Sequence, residues 1–194
     1  MTRRRGWTGR LALAAGLWFG DVAMAAADPL VHTYSIVARD PVTGDMGVAV
    51  QSHWFSVGSI VTWGEAGVGV VATQSFVDPG YGVRGLALMR DGVSAPEALK
   101  RLLAADANRD GRQVAMLDAQ GRVDAFTGKA AIATAGHVVG RGVSAQAHMM
   151  GKDTVWPAML AAYERASSTT VLAAIDKLLQ ETKQRGAVDA PGRR

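Results

Sequence analysis

Thr33-Tyr34-Ser35-Ile36-Val37-Ala38-Arg39, then Asp40-Pro41-Val42-Thr43-Gly44-Asp45, then Met46-Gly47-Val48-Ala49-Val50-Gln51-Ser52 reads as strand, turn, strand. The first flank is rich in β-branched and aromatic residues, and the middle holds the proline, glycine and aspartates that reverse a chain. A β-hairpin is therefore expected over Thr33 to Ser52. A further strand is expected around Ser59 to Trp63. Val68 to Ser75 is a continuous apolar run between Gly67 and Asp78-Pro79, the mark of a strand buried on both faces.

The period then changes. Tyr81 to Arg90 sets Val83, Leu86, Ala87 and Met89 at helical spacing and stops at Gly92. Ser94-Ala95-Pro96-Glu97 is a capping box, and the helix it opens shows Ala98, Leu99, Leu102 and Leu103 on one face. Strands follow at Gln113 to Asp118 and Arg122 to Thr127, joined by Ala119-Gln120-Gly121, and Ser144 to Met150 reads as another. Two helices close the pattern, roughly Asp153 to Arg165 and Thr169 to Gln184, the second with Val171, Leu172, Ile175, Leu178 and Leu179 on one side. Residues 185–194, rich in Gly and Arg, read as a frayed tail. Strands, helices, strands, helices describe one α+β domain over residues 33–184, its helices covering the outer faces of stacked sheets.

Ahead of this domain stand Arg3, Arg4, Arg5 and Arg10, then an apolar run from Leu11 to Phe19 and two small-x-small sites, Ala23-Met24-Ala25 and Ala25-Ala26-Ala27. Residues 1–25 are thus expected to be an export signal, cut after Ala25 or Ala27, with periplasmic or secreted localisation. Asp21 interrupts the run before it reaches the length of a membrane span. Thr2-Arg3-Arg4 also permits a twin-arginine route.

The chain has no cysteine, which excludes disulfides, a thiolate nucleophile and sulfur-ligated metals. Its net charge of +4 belongs mostly to the leader. Without residues 1–25, which hold four arginines and one aspartate, 17 basic and 16 acidic residues remain, a net +1. Electrostatic capture of nucleic acid is not expected, nor is membrane binding after cleavage.

Most short patterns fail on context. Gly67-Val68-Gly69-Val70-Val71-Ala72 has the letters of a nucleotide fingerprint, but a strand runs through it where a helix must start. Asp106-Ala107-Asn108-Arg109-Asp110-Gly111 opens like a calcium loop, yet its twelfth position is Leu117 instead of glutamate. His32, His53, His137 and His148 contain no i, i+4 pair, so no metal and no cofactor is expected. Ser52 and His53, as strand neighbours, point to opposite faces and cannot act as nucleophile and base. Thr33 remains. If the chain were trimmed to begin there, its α-amine, with an ordinary pKa of about 7.7 to 8.0, is a suitable base for its own hydroxyl.

Ser35 through Gly44, Gly47 through Ser52, Ala66 through Gln74, Pro79-x-Tyr81-Gly82, and Arg112-Gln113-Val114 through Phe126-Thr127-Gly128 together resemble the domain of unknown function 1028 family, from about Thr33 to at least Leu179. The resemblance implies an N-terminal nucleophile (Ntn) hydrolase-like fold, a four-layer α-β-β-α sandwich. Hydrolases of that superfamily cleave amide bonds with the first residue of the mature chain, and the matching threonine is Thr33. Backbone amides near Gly67 to Thr73 would line the site, with Thr73 and Ser75 as further candidate catalytic residues. The sequence departs from its relatives at Ala147-His148-Met149, where they often show Gly-Asn-Met, and at Asp78, where asparagine is usual. It also stops at Arg194, where relatives continue into closing strands, so the expectation is a sandwich short of its C-terminal strands or one completed by a partner chain. The expected function is an exported Ntn-type amidohydrolase acting on a small-molecule or peptide substrate. The alternative is a non-catalytic exported binding or assembly module on the same fold; a homo-oligomer fits either.

Overall fold

The side chains of Thr33 to Arg39 alternate between two buried environments, as they must in a strand paired on both sides. The computed structural model describes residues 32–166, 175 and 177–181. The expected signal segment, the tail at 185–194 and most of the helix expected at Thr169 to Gln184 lie outside them.

In chain order the elements are β1 (Thr33–Arg39), β2 (Met46–Ser52), a short α1 (Gly58–Val61), β3 (Thr62–Glu65), β4 (Gly69–Ser75), α2 (Gly80–Arg90), α3 (Ala95–Ala105), β5 (Arg112–Asp118), β6 (Val123–Thr127), β7 (Gly136–Gly140), β8 (Val143–His148) and α4 (Val155–Ala166). Among the described residues they form two antiparallel four-stranded sheets, ordered β2-β1-β8-β7 and β3-β4-β5-β6.

The first hairpin forms as the sequence dictates. Asp40 Oδ1 accepts from the backbone N–H groups of Val42 and Thr43, and Gly44 takes the positive φ of +81° that closes the turn. Ser94 caps α3 by accepting from Glu97 N at 3.4 Å, and Asp118 adds a second bond from Ala95 N at 2.9 Å. Two expectations need correction. The strand placed around Ser59 to Trp63 is first a helical turn, fastened where Thr62 Oγ1 donates to Gly58 O and Trp63 Nε1 to Ile60 O; β3 starts only at Thr62. β7 was not expected at all.

Packing divides into three apolar clusters. Tyr34, Ile36 and Ala38 of β1 join Val143, Ala145 and Ala147 of β8 beneath Met159, Ala162 and Tyr163 of α4. Ile175 and Leu178 extend this cluster. Val71, Val114 and Met116 lie under Tyr81, Leu86, Ala98 and Leu99 of α2 and α3. Val37, Val70, Ala72, Ala115 and Leu117 fill the space between the sheets.

Candidate active site

The apolar filling between the sheets gives way to polar side chains at one end. Antiparallel register sets Ser52, Thr33 and His148 side by side in one sheet. In the other sheet it sets Gln74, Gln113 and Thr127 side by side. Each of these has the strand parity of the residues that face the other sheet, and His148 bridges the gap by bonding Gln113.

Thr33 is 4% exposed, and its Oγ1 lies 2.7 Å from Ser52 Oγ. Ser52 Oγ also accepts from Trp54 N at 3.1 Å. The preceding residue, His32, places Nδ1 3.1 Å from Met149 O.

Gln113 organises the far side. Its Nε2 lies 3.0 and 2.9 Å from the carbonyls of Gly136 and Ala147 and 3.0 Å from Thr127 Oγ1, three acceptors that share its two hydrogens. Carbonyl oxygens only accept, so the amide orientation is fixed and Oε1 turns toward Gln74 Nε2 at 2.6 Å and His148 Nδ1 at 3.2 Å. Nδ1 of His148 must then carry its hydrogen, leaving Nε2 with the lone pair. Burial, helped by the charge of His53, pushes the pKa of His148 down to about 4. His148 is therefore neutral at pH 7 and a poor base there. His137, bonded through Nδ1 to Thr127 Oγ1 at 2.8 Å, is also shifted down by burial.

Two loops flank this end. Residues 53–57 follow β2. Residues 128–135 cross from one sheet to the other: Ala130 N donates to Asp110 O, Ile132 N to Ser75 Oγ, Met149 N to Ile132 O and Met150 N to Thr134 O.

The expected site residues are not all gathered here. Thr73 has the parity of Val71, so its hydroxyl lies on the helix-covered face of β4 and donates to Asp78 O at 3.3 Å. Ser75 lies at the correct end, but its hydroxyl serves the 128–135 loop. The amides of Gly67 to Val70 lie at the opposite end of the sheets, where Ala119 N bonds Val68 O and Gly69 pairs with Asp118. Sequence reasoning missed Ser52 and His148 as neighbours of Thr33, and Gln74 and Gln113 as members of the facing row.

Residues 33–192 match a family described only as a family of unknown function, DUF1028. The chain belongs to this family. A crystal structure of a Silicibacter pomeroyi protein described as a DUF1028 member is similar, with 30% identity and a TM-score of 0.74, over 79% of this chain and 70% of that one. No curated protein matches. Membership thus fixes kinship and fold but brings no activity with it.

Proposed function

We propose that this DUF1028 chain is an exported amidohydrolase, periplasmic or secreted, on an Ntn-hydrolase-like four-layer α-β-β-α sandwich, with Thr33 as nucleophile. The observation that carries the reading is the Thr33 hydroxyl itself: it is buried at the first position of a central strand, at the polar end of the sheets, and held 2.7 Å from Ser52 Oγ. His148 is too weak a base to activate it at neutral pH, which leaves the task to the amine of Thr33.

Once the residues before Thr33 are removed, the chemistry is as follows. Thr33 Oγ attacks the amide carbon, and its proton passes to the amine. The amine returns that proton to the departing nitrogen, leaving an ester on Oγ. Water then cleaves the ester, giving the acid and regenerating the threonine. Ser52 steadies Oγ through their hydrogen bond.

Intact mass and N-terminal sequencing of the exported protein are expected to give a chain beginning at Thr33, with amide turnover lost in Thr33→Ala and partly kept in Thr33→Ser. A mature start at Ala26 or Asp28 with no further trimming would end the proposal.

One observation favours the alternative, a non-catalytic exported binding or assembly module. With His32 joined to Thr33, the Thr33 nitrogen is an amide and no base. Threonine-dependent turnover excludes that reading.

A further inference from the structure

We propose that the Thr33 site takes an amide that carries an N–H and a bulky apolar flank; this rests on the Thr33 reading above and names its substrate class. The loops flanking Thr33 present large apolar side chains to solvent: Trp54 is 68% exposed, Phe55 97%, Phe76 58% and Ile132 37%. Singly such residues are ordinary, but four gathered around one end of a sandwich form a surface that binds something apolar.

The main chain that carries these side chains is fastened to the site itself. Trp54 N donates to Ser52 Oγ, the atom that also bonds Thr33. Ile132 is held from both sides, by Ser75 Oγ and Met149 N, and Phe76 follows Ser75 directly. Among the described residues the non-glycine positions with positive φ are Ser56, Ser75 and Met149, at +56°, +67° and +58°. All three lie in these loops or where they are anchored. Such conformations persist where surrounding structure enforces them, and they gather at binding sites.

Most of the positive charge near this end is already paired. Three cations near this end are committed, Arg84 to Asp78, Arg112 to Asp106 and Lys129 to Asp110, while Arg109 is solvent-exposed. One polar atom does stand ready. Gln74 is 2% exposed, its Nε2 is taken by Gln113, and its Oε1 is buried with no hydrogen-bond partner among the described residues. An orphan buried acceptor calls for a donor, and Gln74 stands in the row facing Thr33. The N–H of a secondary amide is such a donor, while the carbonyl carbon of that amide faces the threonine hydroxyl.

Binding is read without chemistry in the Thr33→Ala chain begun at residue 33, by NMR titration with N-methylhexanamide, N-methylacetamide and N,N-dimethylhexanamide. The hexanamide is expected to bind at least about tenfold more tightly than the acetamide, and several-fold more tightly than the dimethylated amide. Phe55→Ser and Phe76→Ser are each expected to narrow the first ratio, and Gln74→Leu to erase the second. Equal binding of N-methylhexanamide and N-methylacetamide overturns the proposal, even if the unsubstituted chain hydrolyses amides. The preference with no turnover in the unsubstituted chain upholds the substrate class and instead removes Thr33 as nucleophile. If the two serine variants convert a dimer to a monomer by light scattering and leave the ratio unchanged, the apolar surface joins copies of the chain and the proposal fails.

Discussion

Acidification from pH 7.5 toward 4.5 tests the polar row between the sheets through His148. This imidazole is 3% exposed, and its pKa falls from an ordinary 6.5 to about 4, first because burial disfavours its charge and then because of His53. Between those two pKa values the unfolded chain binds a proton that the folded chain refuses. The contribution of His148 is therefore complete above about pH 6.5 and is lost progressively as pH falls toward 4. At about 1.36 kcal/mol per unit the full loss is roughly 3 kcal/mol, and about 2 kcal/mol is already gone at pH 5. His137, lowered by burial as well, adds in the same direction. His148→Asn keeps a side-chain amide beside Gln113 but cannot titrate. Urea unfolding followed by circular dichroism at pH 7.5, 6.0 and 5.0, at constant ionic strength, gives the two stability profiles. The variant is expected to start lower and to fall by about 2 kcal/mol less between pH 7.5 and 5.0. Parallel profiles would refute the argument, because the acid sensitivity would then arise elsewhere.

Two further outcomes follow from the same packing. A Cβ at Gly136 would lie 2.3 Å from Trp156 Cζ2, so Gly136→Ala is expected to cost about 1–3 kcal/mol in thermal unfolding and to shift tryptophan emission as the indole is displaced. Asp106 accepts from Arg112, Tyr81 and Asn108 N, and its pKa is held down at about 2 from 3.8, chiefly by the Arg112 hydrogen bond. Its stabilisation is present above pH 3.8 and lost between 3.8 and about 2. Asp106→Asn is thus expected to remove about 1 kcal/mol at pH 7, since solvent screens part of the interaction, and to flatten the unfolding profile across that acid window.

Features set by local sequence are legible in the residues alone. The Asp40 to Gly44 turn, the capping box at Ser94 and the doubly buried run of β4 each depend on residues a few positions apart, and each forms as read. β7 was hidden because Gly136-His137-Val138-Val139-Gly140 carries weak strand propensity; its pairing with β8 supplies what the residues do not. The site shows the same divide. Thr33 stood out for a chemical reason, but its partners are set by register: Ser52 lies 19 positions away, and His148 joins from the last strand of the sheet. Thr73 and Ser75 were taken as site residues when Gln74, between them, has the inward parity. A signal was present all the same. Gln74, Gln113 and Gln146 interrupt buried strands, and glutamines so placed must find partners in a shared polar layer.

The loop at residues 128–135 is fastened across the end of the sheets by its own main chain, at Ala130, Ile132 and Thr134. None of those bonds depends on what side chain the loop residue carries, so the loop is an exchangeable cassette. Its side chains beyond Gly128 can be rewritten while its path is kept; a Cβ at Gly128 would lie 2.2 Å from Asp110 O, and proline is barred from positions 128, 130, 131 and 132, whose N–H groups are bonded. Sequence in this segment can drift, or be engineered, where its own main chain sets the path.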